Sequence, residues 1–138
     1  MEKVLIVIPA RYDSSRLPGK PLVKIKGIEM IKRVSNIADF VCRKNESCSY
    51  LVATDDERIV SFCESREIPV MMTSTNCKSG TERCYEAYTK IGGDFDVVVN
   101  IQGDEPFIQP SQLETVKACF DDITTQIATP VSYTHLRA

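Results

Sequence analysis

The sequence predicts an α/β fold: a mostly parallel, twisted sheet with helices on both faces. Three observations carry this reading. Short runs of branched apolar residues alternate with longer stretches whose apolar residues recur at helical spacing. The first run, Val4-Leu5-Ile6-Val7-Ile8, is apolar at every position, as a strand covered on both faces must be, and Pro9 ends it. A long loop carrying Arg11, Arg16 and Lys20 follows directly, and an α/β sheet holds anionic ligands at the carboxyl ends of its strands.

The remaining elements follow in order. Ile31, Val34, Ile37, Ala38, Val41 and Cys42 share one helical face, which predicts a first helix from about Ile28 to Arg43. Tyr50 to Ala53 reads as a second strand, followed by a helix opening at Asp55-Asp56. Pro69 to Met72 is a third strand. Cys84, Ala87, Tyr88 and Ile91 mark a helix that stops before Gly92-Gly93. Phe95 to Ile101 is apolar enough for a central strand. Ser111 and Glu114 form a capping box behind Pro110 for a helix along Leu113, Val116 and Phe120, and Gln126 to Thr129 begins another strand. Such alternation implies right-handed βαβ crossovers. No internal repeat, low-complexity tract or interdomain linker is visible.

The first loop has the chemistry of an anion site. Arg offers a two-pronged fork to phosphate oxygens and Lys a point charge, while Pro9, Pro18 and Pro21 limit the entropy lost on ligand binding. Gly19-Lys20 resembles the end of a P-loop, but Ser14 stands where that motif needs Gly and Pro21 where it needs Ser or Thr. No G-x-G-x-x-G follows the first strand either. On chemistry alone the loop is either a phosphate site of another design or a basic surface loop.

Composition agrees with a single globular domain. The chain has 138 residues, 43% of them apolar and 26% charged. No stretch approaches a membrane span, and the N-terminal apolar run is too short for a signal peptide, so the expected location is the cytoplasm, without membrane insertion. The six cysteines show no C-x-x-C pair and read as buried, reduced thiols. Up to Lys44 there are ten Lys/Arg against four Asp/Glu, and beyond it seven against fifteen. A positive front suits a nucleoside triphosphate, and an acidic remainder argues against nucleic acid as partner.

Three further segments carry candidate chemistry. Gln102-Gly103-Asp104-Glu105-Pro106 follows the fourth strand and so reaches the same edge as the first loop. Asp104 there is either a Mg²⁺ ligand or part of a polar turn, and the coincidence of two loops on one edge favours the ligand. Ser79-Gly80-Thr81-Glu82-Arg83 precedes a helix and reads first as a cap, with ligand binding as the second reading. Asp55-Asp56-Glu57 reads as acidic residues meeting a helix dipole rather than as a metal site. His135 is the sole histidine, which leaves no basis for a His-centred triad.

Four segments, ARYDSSRLPGKPL (10–22), VATDDERI (52–59), KSGTER (78–83) and VNIQGDEPFI (99–108), together resemble the 3-deoxy-manno-octulosonate (KDO) cytidylyltransferases in wording and order. Sialic acid cytidylyltransferases share the PGK core but lack RLPGKPL and SGTER. The resemblance spans residues 1–130, the nucleotide-binding front of such an enzyme. The tail 131–138, VSYTHLRA, does not continue the family wording and reads as an unrelated terminus. Family members are nearly twice as long, and the resemblance places a second metal-binding Asp, much of the KDO pocket and homodimer contacts in that further half.

The resemblance implies a Rossmann-like fold of the nucleotide-diphospho-sugar transferase type and transfer of CMP from CTP to KDO, with release of pyrophosphate, for lipopolysaccharide biosynthesis. It implies Ala10, Arg11, Arg16, Lys20, Ser79, Gly80 and Arg83 as nucleotide-binding residues and Gln102 as a contact to the sugar acid. Arg11, Lys20 and Asp104 are the implied catalytic set, with Mg²⁺ on Asp104. Two other readings remain open at this point: activation of sialic acid or another sugar, and a nucleotide-binding module without catalysis.

Overall fold

A computed structural model describes residues 3–12, 19–44, 46–92, 95–101 and 127–128. Strand β1 (Val4–Ala10) is wholly buried and runs at the centre of a five-stranded sheet. The hairpin strands β2 (Lys24–Ile25) and β3 (Ile28–Glu29) lead into helix α1 (Met30–Arg43). Then come β4 (Cys48–Thr54), α2 (Glu57–Ser65), β5 (Val70–Met72), α3 (Gly80–Ile91), β6 (Val97–Asn100) and β7 (Ile127–Ala128). The sheet order is β5-β4-β1-β6-β7, every pair parallel. The predicted α/β class with helices on both faces is the observed one.

The alternation of β1 explains the two layers. Val4, Ile6, Ile8 and Ala10 pack against Ile31, Val34, Ala38 and Val41 of α1 and Ile59 and Cys63 of α2. Leu5 and Val7 point the other way, toward Cys84 and Ala87 of α3. The chain steps from β1 to β4 to β5 with α1 and α2 on one face. It then returns across β1 to β6 with α3 on the opposite face, so direction and face reverse together and the crossovers keep one hand.

The sequence reading ends β1 at Pro9, yet the strand continues to Ala10. The Val7 carbonyl faces β6, where it accepts from the Ile101 N–H at 3.0 Å. Pro9, two residues on, faces the same side, beyond the Val7↔Asn100 pair that ends the β6 register. Its missing N–H therefore costs no ladder bond, while β4 still pairs through Ala10↔Thr54. Helix α1 begins at Met30 rather than about Ile28 because Lys26 and Gly27, at φ 51° and 83°, turn a hairpin that takes Ile28 and Glu29 as strand.

The other boundaries agree closely with the sequence. Asp56 caps α2, Ser79 caps α3, and Gly92 ends α3 in the left-handed region at φ 64°. The expected helix along Leu113, Val116 and Phe120 lies outside the described residues. Among those residues no helix is long and apolar enough to cross a membrane. Burial pushes the Cys63 and Cys84 thiols up to about 12. In the folded chain both should therefore resist iodoacetamide at pH 8 and react only after denaturant is added, as read by mass spectrometry of the alkylated protein. Rapid labelling of either in the native state would contradict this packing.

Candidate functional site

Strands leave β1 on both sides, β4 to one and β6 to the other, so the strand order reverses between β1 and β6. A crevice at the carboxyl ends of the strands on either side of such a reversal is where open α/β sheets bind ligands. Here β1 delivers Ala10 and Arg11, and β6 delivers Asn100 and Ile101. The starts of α2 and α3 share this edge, because each helix follows the carboxyl end of a parallel strand.

The described residues on either side of the first loop, Tyr12 and Gly19, are bonded to each other and form a closed neck. The Gly19 N–H donates to the Tyr12 carbonyl at 2.5 Å. Arg11 and Lys20 stand one residue outside that bonded pair, so two cations nine positions apart in sequence flank one backbone hydrogen bond. Gly19 has φ 74°, and a Cβ there would lie 3.0 Å from Tyr12 ring carbons. Glycine is required both for the turn and for the ring's approach. Lys20 opens a short 3-10 turn, Lys20–Leu22, with Pro21 buried and Leu22 against the core. Ala10 is the buried last residue of β1, and Arg11 is exposed.

A second wall is formed by the segment from Thr73 to Ser79. The Thr73 N–H donates to the Thr54 carbonyl at 2.7 Å. Arg83, only 1% exposed, donates to Thr73 Oγ1 at 2.5 Å and the Ser74 carbonyl at 3.1 Å, and pairs with Asp55 at 3.4 Å. Glu86 accepts from the Ser74 N–H at 2.7 Å and from the Cys77 thiol at 3.4 Å. The Ser74 N–H foremost holds the Glu86 carboxyl below its usual range. The Ser79 hydroxyl accepts from the Glu82 N–H at 3.1 Å, and Glu82 in turn accepts from the Lys78 N–H. Such reciprocal capping fixes the start of α3, where Gly80 stands.

The structure thus brings Arg11 and Lys20 to one neck and sets Ser79, Gly80 and Arg83 in the second wall. Arg83 turns its guanidinium inward to Thr73, Ser74 and Asp55. Arg16, Gln102 and Asp104 lie outside the described residues. Among the described residues no group of three or more His, Cys, Asp or Glu could hold a metal ion. Residue reading missed Tyr12, Asp55, Thr73, Glu86 and Arg58, whose guanidinium lies over the Tyr12 ring. The acidic run was the one available signal, since Asp56 does cap α2. Nothing local marks Asp55 as the partner of a residue 28 positions away.

Comparison with known proteins decides the family. The profile described as Cytidylyltransferase matches residues 5–137. The chain belongs to the cytidylyltransferase family. This cytidylyltransferase chain is 60% identical over 130 residues to the 3-deoxy-manno-octulosonate cytidylyltransferase of Bacteroides thetaiotaomicron, covering 94% of this chain and 50% of that protein. It is 48% identical over 114 residues to the mitochondrial enzyme of that name from Arabidopsis thaliana, covering 83% of this chain and 38% of that protein. A solved CMP:2-keto-3-deoxy-manno-octonic acid synthetase complexed with CTP superposes with a TM-score of 0.79 at 41% identity, covering 88% of this chain and 48% of that one. The chain spans about half the length of the curated relatives it matches.

Arg83 gives the cytidylyltransferase edge a test of rigidity. Asp55→Ala leaves a buried guanidinium without its carboxylate and should cost about 1–3 kcal/mol in urea unfolding. Arg43→Ala, which removes a side chain 79% exposed in its pair with Asp39, should cost less than about 0.5 kcal/mol. Equal losses would contradict the structural role given to the Arg83 cluster.

Proposed function

We propose that this chain is the nucleotide-binding part of an enzyme that couples KDO to CMP, using CTP and releasing pyrophosphate. The observation that supports the reading most is the closed neck, whose Gly19–Tyr12 bond holds the flanking positions Arg11 and Lys20 at the carboxyl edge of the sheet. The relatives' names and the CTP complex of the structural neighbour support cytidine and KDO as the ligand classes.

The reaction needs positioning and charge neutralisation more than covalent help from the protein. The anomeric hydroxyl of KDO attacks the α-phosphorus; a new O–P bond forms as the bond from that phosphorus to the β-bridging oxygen breaks. Arg11, Lys20 and Arg16 hold the triphosphate, and Lys20 stabilises charge growing at the α-phosphate. We assign the cytidine to the start of α3 at Ser79 and Gly80, a segment that Arg83, buried on Thr73, Ser74 and Asp55, holds in place without contacting the base itself, and Ala10 supplies backbone without side-chain bulk beside the phosphates. Gln102 orients the sugar acid. Asp104, four residues past the end of β6 in sequence, is the residue we assign to hold Mg²⁺; the ion would supply positive charge to the phosphates and would make the attacking hydroxyl more acidic.

By the same resemblance the longer protein is a cytoplasmic homodimer whose product enters lipopolysaccharide biosynthesis. Thermal melts with CTP, UTP, GTP and ATP, each with Mg²⁺, test the binding half of the proposal. CTP at a hundredfold excess over its dissociation constant should stabilise the chain by about 2.7 kcal/mol, and the other nucleotides by less. Lys20→Ala should remove most of that gain. Equal shifts with all four nucleotides would reduce the chain to an unselective phosphate binder, and no shift would refute the reading. Pyrophosphate release with KDO against sialic acid as acceptor, in the longer protein, assigns the sugar.

A further inference from the structure

The neck of the first loop is held by a residue outside that loop. Arg58, in the first turn of α2, lays its guanidinium over the Tyr12 ring, 3.2 Å from the centroid. Asp56 fixes that guanidinium: its Oδ1 accepts from Arg58 Nε at 3.0 Å and its Oδ2 from Nη2 at 2.7 Å. The same Oδ1 accepts the Arg58 N–H at 2.8 Å, which is the helix cap. One carboxylate therefore caps α2 and aims the guanidinium. Helix α2 is itself anchored by Ile59 and Cys63, both fully buried.

The Tyr12 ring also lies close over Gly19, where an added Cβ would come within 3.0 Å of ring carbons. The linkage runs Asp56, Arg58, Tyr12, Gly19, and ends at the backbone bond that Arg11 and Lys20 flank. Arg58 is 57% exposed in its side chain, and an exposed ion pair of this kind adds little to global stability. Its geometry instead uses both properties that distinguish Arg from Lys: a planar fork for the carboxylate and a flat face for the ring.

We propose that Arg58 is a positioning residue for the triphosphate: stacked on Tyr12 and fixed by Asp56, it locks the Tyr12–Gly19 neck and sets the spacing of Arg11 and Lys20. This rests on the triphosphate reading of the edge. Arg58 does not touch the ligand; it acts through the neck, and through the flat face rather than the charge. Arg66, whose guanidinium lies 5.0 Å from the centroid of the Phe62 ring at the other end of α2, offers the same chemistry away from the neck and serves as the control.

Two readouts on this chain test the proposal. The first is affinity for CTP and for cytidine by calorimetry; the second is the rate of tryptic cleavage between Arg11 and Tyr12, read by mass spectrometry. Arg58→Ala should weaken CTP about tenfold, leave cytidine unchanged and speed cleavage about tenfold. Arg58→Lys, which keeps charge but loses the flat face, should follow it. Arg66→Ala should behave as the parent. The proposal is overturned if Arg58→Ala changes neither readout by twofold, or if Arg66→Ala reproduces the loss. A parent chain that binds no CTP refutes the triphosphate reading and the positioning role with it, while unchanged cleavage in Arg58→Ala separately refutes the neck lock.

Discussion

The hydrogen bond from the Gly19 N–H to the Tyr12 carbonyl turns a span of loop into a point of the scaffold. Without it, Arg11 would belong to the end of β1 and Lys20 to a surface turn, and their charges would have no fixed relation. Closing the neck costs backbone freedom, and the surrounding structure offsets that cost in several ways. Gly19 is already in the left-handed conformation the turn needs, Pro21 is buried, and the Tyr12 ring rests against the core. The central strand supplies the other constraint. Because β1 is buried at all seven positions, its carboxyl end cannot shift relative to β4 or β6.

The segment from Thr73 to Ser79 follows a different logic. A fully buried arginine is stable only when each direction of its fork meets an acceptor, and Arg83 meets Thr73, Ser74 and Asp55. Those acceptors come from the ends of β4 and β5, so the cluster ties the segment before α3 to two strands at once. Glu86 adds a tie from the next turn of α3. The two walls hold basic residues in opposite ways: Arg11 is exposed at the edge and available to an anion, whereas Arg83 is spent on the protein itself. The caps, Asp56 at α2 and Ser79 at α3, keep those helix starts occupied by the chain's own carboxylate and hydroxyl.

Much of this was legible in the residues. Continuous apolar runs named β1 and β6 as central strands, and helical spacing named α1 and α3, because burial on a regular element leaves a period in the sequence. Gly92 and Asp56 gave element ends because caps are chosen by local backbone chemistry. The first loop was singled out by its cations and prolines. What the residues did not disclose is pairing across space. Tyr12 with Arg58, and Asp55 with Arg83, join segments whose separation depends on strand order, and strand order has no local signature. The β2–β3 hairpin was missed for another reason, since each strand is two residues long and below the reach of any period.

We propose that the closed neck makes Arg11 and Lys20 one phosphate-binding unit beside the reversal of strand order. A crystal structure of this chain grown with CTP and Mg²⁺ tests it most directly. Triphosphate density should then lie at the carboxyl ends of β1 and β6, with phosphate oxygens within hydrogen-bond distance of both Arg11 and Lys20 and the Gly19–Tyr12 bond intact. Triphosphate bound elsewhere on the chain, or bound with that bond broken and the two side chains apart, would contradict it.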